Sequence, residues 1–228
     1  MTAHYPDLVD QVEVIGTGDP SSIRRRKGVY GRAVKRLVDI LAVLAAAPIV
    51  LPLVALLALA VARDGHAPFY RQARVGRGGR IFTMWKLRSM VPDADAKLAE
   101  YLSQDPAARA EWNTSQKLKR DPRITRFGRF LRKSSLDELP QLWNVLTGDM
   151  SLVGPRPMMP EQQPLYPGRA YYALRPGITG LWQVSDRNET TFAARADYDR
   201  AYAQSLSLAT DARILAATVR VVARGTGY

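Results

Sequence analysis

The stretch Leu37–Ala62, "LVDILAVLAAAPIVLPLVALLALAVA", decides how the rest of this chain is read. Its 26 residues carry one charge, Asp39. As a continuous helix they would reach roughly 39 Å, against a bilayer hydrocarbon core of about 30 Å. Length alone permits a membrane span. Pro48 and Pro52 complicate it, because Pro48 has no N–H for the Leu44 carbonyl and disfavours helical geometry at Ala47. The flanks complicate it further. Arg24, Arg25, Arg26, Lys27, Arg32, Lys35 and Arg36 precede the run, and Arg63, Arg71, Arg74, Arg77 and Arg80 follow it. By the positive-inside rule both ends belong on the cytoplasmic side. Two arrangements fit these residues. One is a kinked spanning helix; the other is a helix broken at Pro48 that enters one leaflet and returns. No polar face appears anywhere in the run, which argues against a buried helix of a soluble domain. Asp39 is costly in lipid, and Lys35 and Arg36 stand one turn before it to neutralise it.

Outside the run the chain is polar and basic. Its 228 residues include 33 Lys and Arg against 21 Asp and Glu, a net charge of +12 that points to a polyanionic partner. It has no cysteine, so disulfides and thiolate chemistry are excluded. His4 and His66 are its only histidines, too few for a zinc site or a His-based triad. Acid, base or nucleophile must then come from Asp, Glu, Lys, Tyr or Ser, and any metal should be a hard cation such as Mg²⁺. Residues 1–30 read as a flexible basic tail without the pattern of a secretory signal. Residues 31–64 form the membrane segment and 65–228 a catalytic domain. "APFYRQARVGRGGRIFTMWKLRSM" (67–90) reads as a β-hairpin about Gly76–Gly79. The glycine-rich turn lacks the lysine of a phosphate-cradling loop. Residues 92–112 read as helix with a break at Pro106. The run 117–133 packs eight basic residues into 17. After a short helix from Ser134, a Gly-Pro-rich loop runs to about Pro167. Residues 189–224 read as helical. There Ile214, Leu215, Thr218, Val221 and Val222 share the face of a packed helix, or of an amphipathic helix on a membrane surface.

The segment 134–157, "SSLDELPQLWNVLTGDMSLVGPRP", places Asp137 and Glu138 side by side in this basic region. One reading is structural: Ser135-Leu136-Asp137-Glu138 matches a helix capping box. Pro140 disturbs it, since it would fall at the fifth helical position and leave a bond unmade. Either way a positive helix end would keep both carboxylates ionised. The other reading is chemical. Adjacent carboxylates can hold Mg²⁺ against a diphosphate, and one of them can attack phosphorus. Arg132, Arg156, Lys86 and Arg88 are at hand to grip phosphate oxygens.

With these motifs in view the chain resembles the bacterial sugar transferase family, the monotopic phosphoglycosyl transferases. The resemblance rests on "KRLVDI", "FYRQARVG", "FTMWKLRSM", "DPRITRFGRFLRKSSLDELPQLWNVLTGDMSLVGPRP" and "RPGITGLWQVSDRN", and covers residues 35–228. The ending "SLSLATDARILAATVRVVARGTGY" is similar to members that initiate exopolysaccharide synthesis from UDP-galactose or UDP-glucose. The family implies an α+β, mainly helical fold with a re-entrant helix broken at Pro48, a small hairpin and amphipathic interfacial helices. It implies transfer of a hexose-1-phosphate, galactose by preference, from a UDP-sugar to undecaprenyl phosphate at the cytoplasmic face of the inner membrane. Asp137 would be the nucleophile, and Asp137 with Glu138 would bind Mg²⁺. Arg132 and Arg156 would meet the diphosphate, with Lys86, Arg88, Gln141, Arg175, Gly177, Thr179, Gln183 and Arg187 as further substrate contacts. Asp186 stands where many members have glycine, which bears on the sugar accepted. The chain lacks the multi-helix N-terminal extension of larger members and resembles the minimal catalytic form. Membrane lipids are expected partners, and a homodimer is open to it. A membrane-anchored nucleic-acid-binding protein is the alternative raised by the run 117–133, but no nucleic-acid-binding signature accompanies it. A membrane scaffold is the other alternative, and it leaves the acidic pair unexplained.

Overall fold

The computed structural model describes residues 30–115, 118, 120–185 and 191–223. The tail expected over residues 1–30 falls outside them, apart from Tyr30. The apolar run folds as helix α1, Lys35–Val61, entered through a single π turn over Tyr30–Val34. Pro48 and Pro52 both lie inside α1. The break expected at Pro48 is therefore no interruption of helical backbone, and any change of direction there is a kink within one helix.

The remaining elements are short. They are β1 (Phe69–Val75), β2 (Ile81–Leu87), α2 (Ala94–Gln104), α3 (Pro106–Ser115), α4 (Arg126–Lys133), a 3₁₀ turn (Leu136–Glu138), α5 (Gln141–Thr147), β3 (Ser151–Val153), α6 (Ala170–Ala173), β4 (Gly177–Thr179), α7 (Leu181–Val184), α8 (Arg195–Gln204) and α9 (Leu208–Ala223). Strands β1 and β2 form the expected hairpin, in register from Phe69↔Leu87 to Val75↔Ile81. Gly78 and Gly79 turn it at φ 72° and 81°, where a side chain would be strained. The expected break at Pro106 sits one residue earlier, at Asp105, whose Oδ1 accepts from the Ala108 N–H at 2.9 Å and starts α3.

Two elements differ from the expectation. Stretches read as loop form a parallel pair, β3 with β4, in register Ser151↔Gly177 and Val153↔Thr179. The glycines make it fit: a Cβ on Gly177 would lie 2.1 Å from the Gly154 nitrogen. The C-terminal helical stretch is interrupted between Gln204 and Leu208, and α9 packs through Thr210, Asp211, Ile214 and Ala217. Leu215 and Val222, which share the apolar face read from the sequence, are exposed.

Helix α1 is held at both ends by this body. At its foot Lys35 Nζ donates to Asp211 Oδ2 at 2.6 Å, and the hydroxyls of Tyr30 and Tyr202 donate to the same carboxylate, each at 2.6 Å. Asp39 is buried and accepts from Ser151 Oγ at 2.7 Å and from the Leu152 N–H at 3.2 Å. Arg36 donates to the carbonyls of Val145 and Leu146. The two cations place their hydrogen bonds elsewhere and β3 supplies the donors to Asp39, while Lys35 still acts on it electrostatically. At the far end Leu57 and Val61 pack with Leu87 and Leu131. Between these anchors residues 44–56 include no buried position, and Ile49 and Leu51 are 76% and 66% exposed.

Two cores lie beyond α1. One gathers Trp182, Tyr198, Tyr202 and Ile214; the other gathers Val75, Met158, Tyr166 and Tyr171. Asp199 lies beside them, its carboxylate accepting from the Tyr166 hydroxyl at 2.9 Å. Burial pushes it up from 3.8 to about 7.

Two outcomes follow for stability. Asp211→Ala strips the acceptor from one ammonium and two hydroxyls, so it should destabilise the fold by about 3–5 kcal/mol, read as a lower unfolding midpoint in detergent. Asp199 acts with the opposite sign to a salt-bridged acid. Between its unfolded value and about 7 the folded chain holds a proton that the unfolded chain releases. That contribution is present at low pH and lost as pH rises through about 7, a few kcal/mol in all. Unfolding midpoints should therefore fall from about pH 5 to pH 8 in the wild type. The slope should flatten in Asp199→Asn, whose amide oxygen keeps an acceptor for Tyr166.

Candidate active site

Strand β2 ends beside a tight assembly built on α4 and the 3₁₀ turn. Helix α4 starts with Thr125, whose Oγ1 accepts from the Gly128 N–H at 2.8 Å. Gly128 lets the helix touch β2's extension directly: a Cβ there would fall 1.9 Å from the Ser89 carbonyl oxygen. That contact sets Arg132, the last turn's guanidinium, whose Nε donates to Ser89 Oγ at 2.8 Å. Ser135 then reverses the chain at φ 56°, the one positive φ outside glycine among the described residues. A non-glycine residue held there stores strain of order 1–3 kcal/mol, typical of sites whose surroundings over-determine the backbone. The capping box is not formed, since Ser135 makes no side-chain cap and α5 instead begins after Pro140. The strained turn presents Asp137 and Glu138 in succession.

Lys86 reaches both carboxylates, with Nζ 2.7 Å from Glu138 Oε1 and 3.8 Å from Asp137 Oδ2. Its strand is held in place by Asn144 of α5, which accepts from the Trp85 N–H at 3.1 Å and donates to the Thr83 carbonyl at 2.8 Å. Asp137 is 7% exposed. Burial raises its pKa, Lys86 and Arg132 pull it back, and Glu138 adds to the rise. For Asp137 burial is the largest of these influences. Arg132 is lowered by burial and supported by Asp137.

A second group of cations adjoins the first. Arg156, from the Gly154–Pro157 turn, meets Arg74 of β1 and Arg195 of α8. Burial and then Arg156 hold Arg74 and Arg195 down to about 10, while Glu138 supports the charge on Arg74. Arg74 donates to the Pro157 carbonyl at 3.0 Å and to Gln72 Oε1 at 2.6 Å. Arg195 lies over Trp182 and Phe192, its guanidinium carbon 4.1 and 4.6 Å from the ring centroids. The Nε of Arg74 and of Arg195 are buried without a hydrogen-bond partner, and none of the three arginines forms an ion pair among the described residues. A half-buried triad of guanidinium groups without an ion pair among the described residues is a place for an anion.

The structure therefore brings Lys86, Arg132, Asp137 and Glu138 together, with Gln141 buried in the first turn of α5. Arg156 stands in the adjoining triad. Other residues singled out from sequence are engaged elsewhere. Arg88 clamps the end of α1 through Asp64 Oδ1 at 2.6 Å and the carbonyls of Val61, Ala67 and Met90. Arg175 donates from Nε to the Gly148 carbonyl at 2.9 Å. Gly177 and Thr179 belong to β4, where Thr179 Oγ1 meets Thr218 Oγ1 at 2.7 Å. Gln183 donates to the Ile178 carbonyl at 3.1 Å, and its Oε1 is left buried without a partner. Arg187, like Asp186, lies outside the described residues. Sequence reasoning missed Arg74 and Arg195. A signal for Arg195 exists: it opens α8 at the positive end of the helix, where a cation is disfavoured unless something else requires it.

The acidic pair also bears on the expected Mg²⁺. Among the described residues no group of three or more His, Cys, Asp or Glu side chains could enclose a metal. Asp137 and Glu138 are the residues that would hold it, with water and substrate phosphates as its other ligands and Lys86 displaced from between them.

Comparison with known proteins agrees with this geometry. A family model described as bacterial sugar transferase matches residues 30–225. A UDP-galactose-lipid carrier transferase of Erwinia amylovora is 48% identical over 198 residues, 86% of this chain and 42% of that protein. An undecaprenyl-phosphate galactose phosphotransferase of Salmonella typhimurium shows the same identity and coverage. The exopolysaccharide production protein ExoY of Sinorhizobium fredii is 41% identical over 211 residues, 92% of each chain. The chain spans less than half the length of the first two relatives and nearly the whole of the third. With the match running through α1, the acidic pair and the arginine triad alike, this chain belongs to the bacterial sugar transferase family.

Proposed function

We propose that this chain transfers a hexose-1-phosphate, galactose by its relatives, from a UDP-sugar to undecaprenyl phosphate at the cytoplasmic face of the inner membrane, releasing UMP at the first membrane step of exopolysaccharide synthesis. The observation that carries this reading is the adjacent Asp137 and Glu138, the first buried and the second half-buried, between Lys86 and Arg132 and beside an arginine triad without ion pairs among the described residues. In this reading the Asp137 carboxylate attacks the sugar-bearing phosphorus. An O–P bond forms, the bond to the bridging oxygen breaks, and UMP leaves with that oxygen. The phosphate oxygen of undecaprenyl phosphate then attacks the same phosphorus and frees the carboxylate. Lys86 and Arg132 hold charge on the reacting oxygens, and Arg74, Arg156 and Arg195 receive the departing nucleotide phosphate. Mg²⁺ held by Asp137 and Glu138 would neutralise diphosphate oxygens.

The membrane part of the reading is supported by α1. Both its ends return to the same body, and 44–56 between them is uncovered and apolar. A helix kinked at Pro48 that dips into one leaflet meets both conditions. Phe130 and Trp143, 53% and 60% exposed, suit the headgroup zone.

Purified chain given UDP-galactose, Mg²⁺ and undecaprenyl phosphate should release UMP. Asp137→Asn should reduce that rate by ~10³-fold or more at unchanged fold. Without lipid acceptor the wild type should accumulate a phosphosugar adduct on Asp137; its absence under single-turnover conditions, with turnover intact, would instead favour direct attack by the lipid phosphate. Arg195→Lys keeps the charge and loses the stacked fork, so it should raise KM for the UDP-sugar by ~10-fold while kcat changes little.

A further inference from the structure

We propose that the tip of the β1–β2 hairpin carries a second anion site, and that its ligand is the phosphate headgroup of an anionic membrane phospholipid. The turn meets the loop after α5 in a cleft of about 300 Å³ lined by Arg77, Arg80, Phe82, Gly148, Asp149 and Arg175. Arg36 stands beside it, its guanidinium 3.5 Å from where a Gly148 Cβ would be. The four arginines form one electrostatic cluster, for Arg36, Arg77 and Arg80 all depress Arg175 after burial does. The one carboxylate lining the cleft is Asp149, paired with Arg80 at 2.9 Å. Arg77 forms no hydrogen bond or ion pair among the described residues, and Arg175 uses only its Nε, on the Gly148 carbonyl. Guanidinium groups left with open forks around a cleft match the oxygens of a phosphate ester.

Position selects the lipid. Arg36 is the second residue of α1. Leu37, Leu41 and Leu44, spaced on one face of the helix, are 57%, 56% and 53% exposed and lead into the uncovered stretch 44–56. Ile81, next to Arg80, is 49% exposed. An apolar surface bordered by a guanidinium cluster is the pattern of a membrane–water boundary. The attacked phosphorus lies elsewhere: Arg80 and Lys86 are six residues apart along the hairpin strand, about 20 Å at strand rise. A headgroup held here would fix the tilt of the body on the bilayer without entering the reaction. This inference rests on the membrane-bound part of the function proposed above.

Native mass spectrometry of the full chain released from detergent tests it, with phosphatidylglycerol and phosphatidylcholine as probes. The wild type should retain phosphatidylglycerol at roughly tenfold lower lipid concentration than phosphatidylcholine. Arg77→Gln/Arg80→Gln should cut that preference to about twofold. Arg77→Glu, a change at an exposed side chain that makes no hydrogen bond or ion pair among the described residues, should do the same if the double variant fails to fold. Equal retention of the two lipids by the wild type, or an undiminished preference in both variants, overturns the proposal. So does displacement of phosphatidylglycerol by an equal concentration of glycerol phosphate, which would mark a site for a soluble anion. UMP release in the same detergent reports separately: its absence from the wild type counts against the transferase reading, while its persistence in the variants accompanies a headgroup site outside the reaction.

Discussion

The fold depends on two buried carboxylates at the foot of one apolar helix. Asp211 gathers an ammonium and two hydroxyls, and Asp39 takes a hydroxyl and a backbone N–H from β3. A helix that leaves thirteen consecutive positions (44–56) without a buried residue cannot be held by packing along its length. Its ends must fix it, and polar bonds shielded from water do so with more direction than apolar contact. The consequences reach the site from both sides. Asp39 grips β3, and β3 runs straight into the turn that carries Arg156. Leu57 and Val61 at the other end press on Leu87 and Leu131, neighbours in sequence of Lys86 and Arg132. The membrane segment is thus also the strut that spaces the two halves of the site.

Strain and burial at the acidic pair are connected through this strut. Ser135 keeps its left-handed backbone because Gly128 pins α4 to Ser89 on one side and Pro140 starts α5 on the other. Release of the strain would swing Asp137 away from Lys86. The same clamp keeps Asp137 out of water, which raises its pKa and makes its charge depend on nearby cations. A carboxylate in that state is a stronger base than a solvated one, which suits attack on phosphorus once cations favour its ionised form.

Much of this was legible in the residues. The proline-bearing apolar run, the hairpin about "GRGGR", the split of residues 92–112 near Pro106 and the acidic pair among cations all follow from local chemistry. What was not legible depends on contacts between distant segments. The parallel pairing of β3 and β4 joins stretches separated by a long crossover, and each reads alone as a Gly-Pro loop. Its cause is visible only in the fold, where Gly154 and Gly177 let two backbones touch. The arginines show the same limit. Arg88 and Arg175 look like phosphate ligands from sequence, yet carbonyls and Asp64 engage them. Arg74 and Arg195 look like ordinary surface cations, yet burial and stacking leave them in a triad without ion pairs. Residue type announces the chemistry available, and only the placement of strands and helix ends decides which copies of it are used.

Charge balance then bears on the order of chemical events. Lys86 and Arg132 act on Asp137, Lys86 and Arg74 on Glu138, and Arg156 and Arg195 adjoin Arg74, while Asp199 is held toward its neutral form by burial. Five cations against two carboxylates leave an excess that suits one bound diphosphate. A phosphate monoester such as a lipid phosphate brings about −1.5 to −2 more at neutral pH. In the proposed reading, departure of the nucleotide phosphate before the lipid phosphate arrives spares the site from holding two anions at once. In the proposed two-step displacement through Asp137 the cations serve the two anions in turn, the nucleotide phosphate first and the lipid phosphate second.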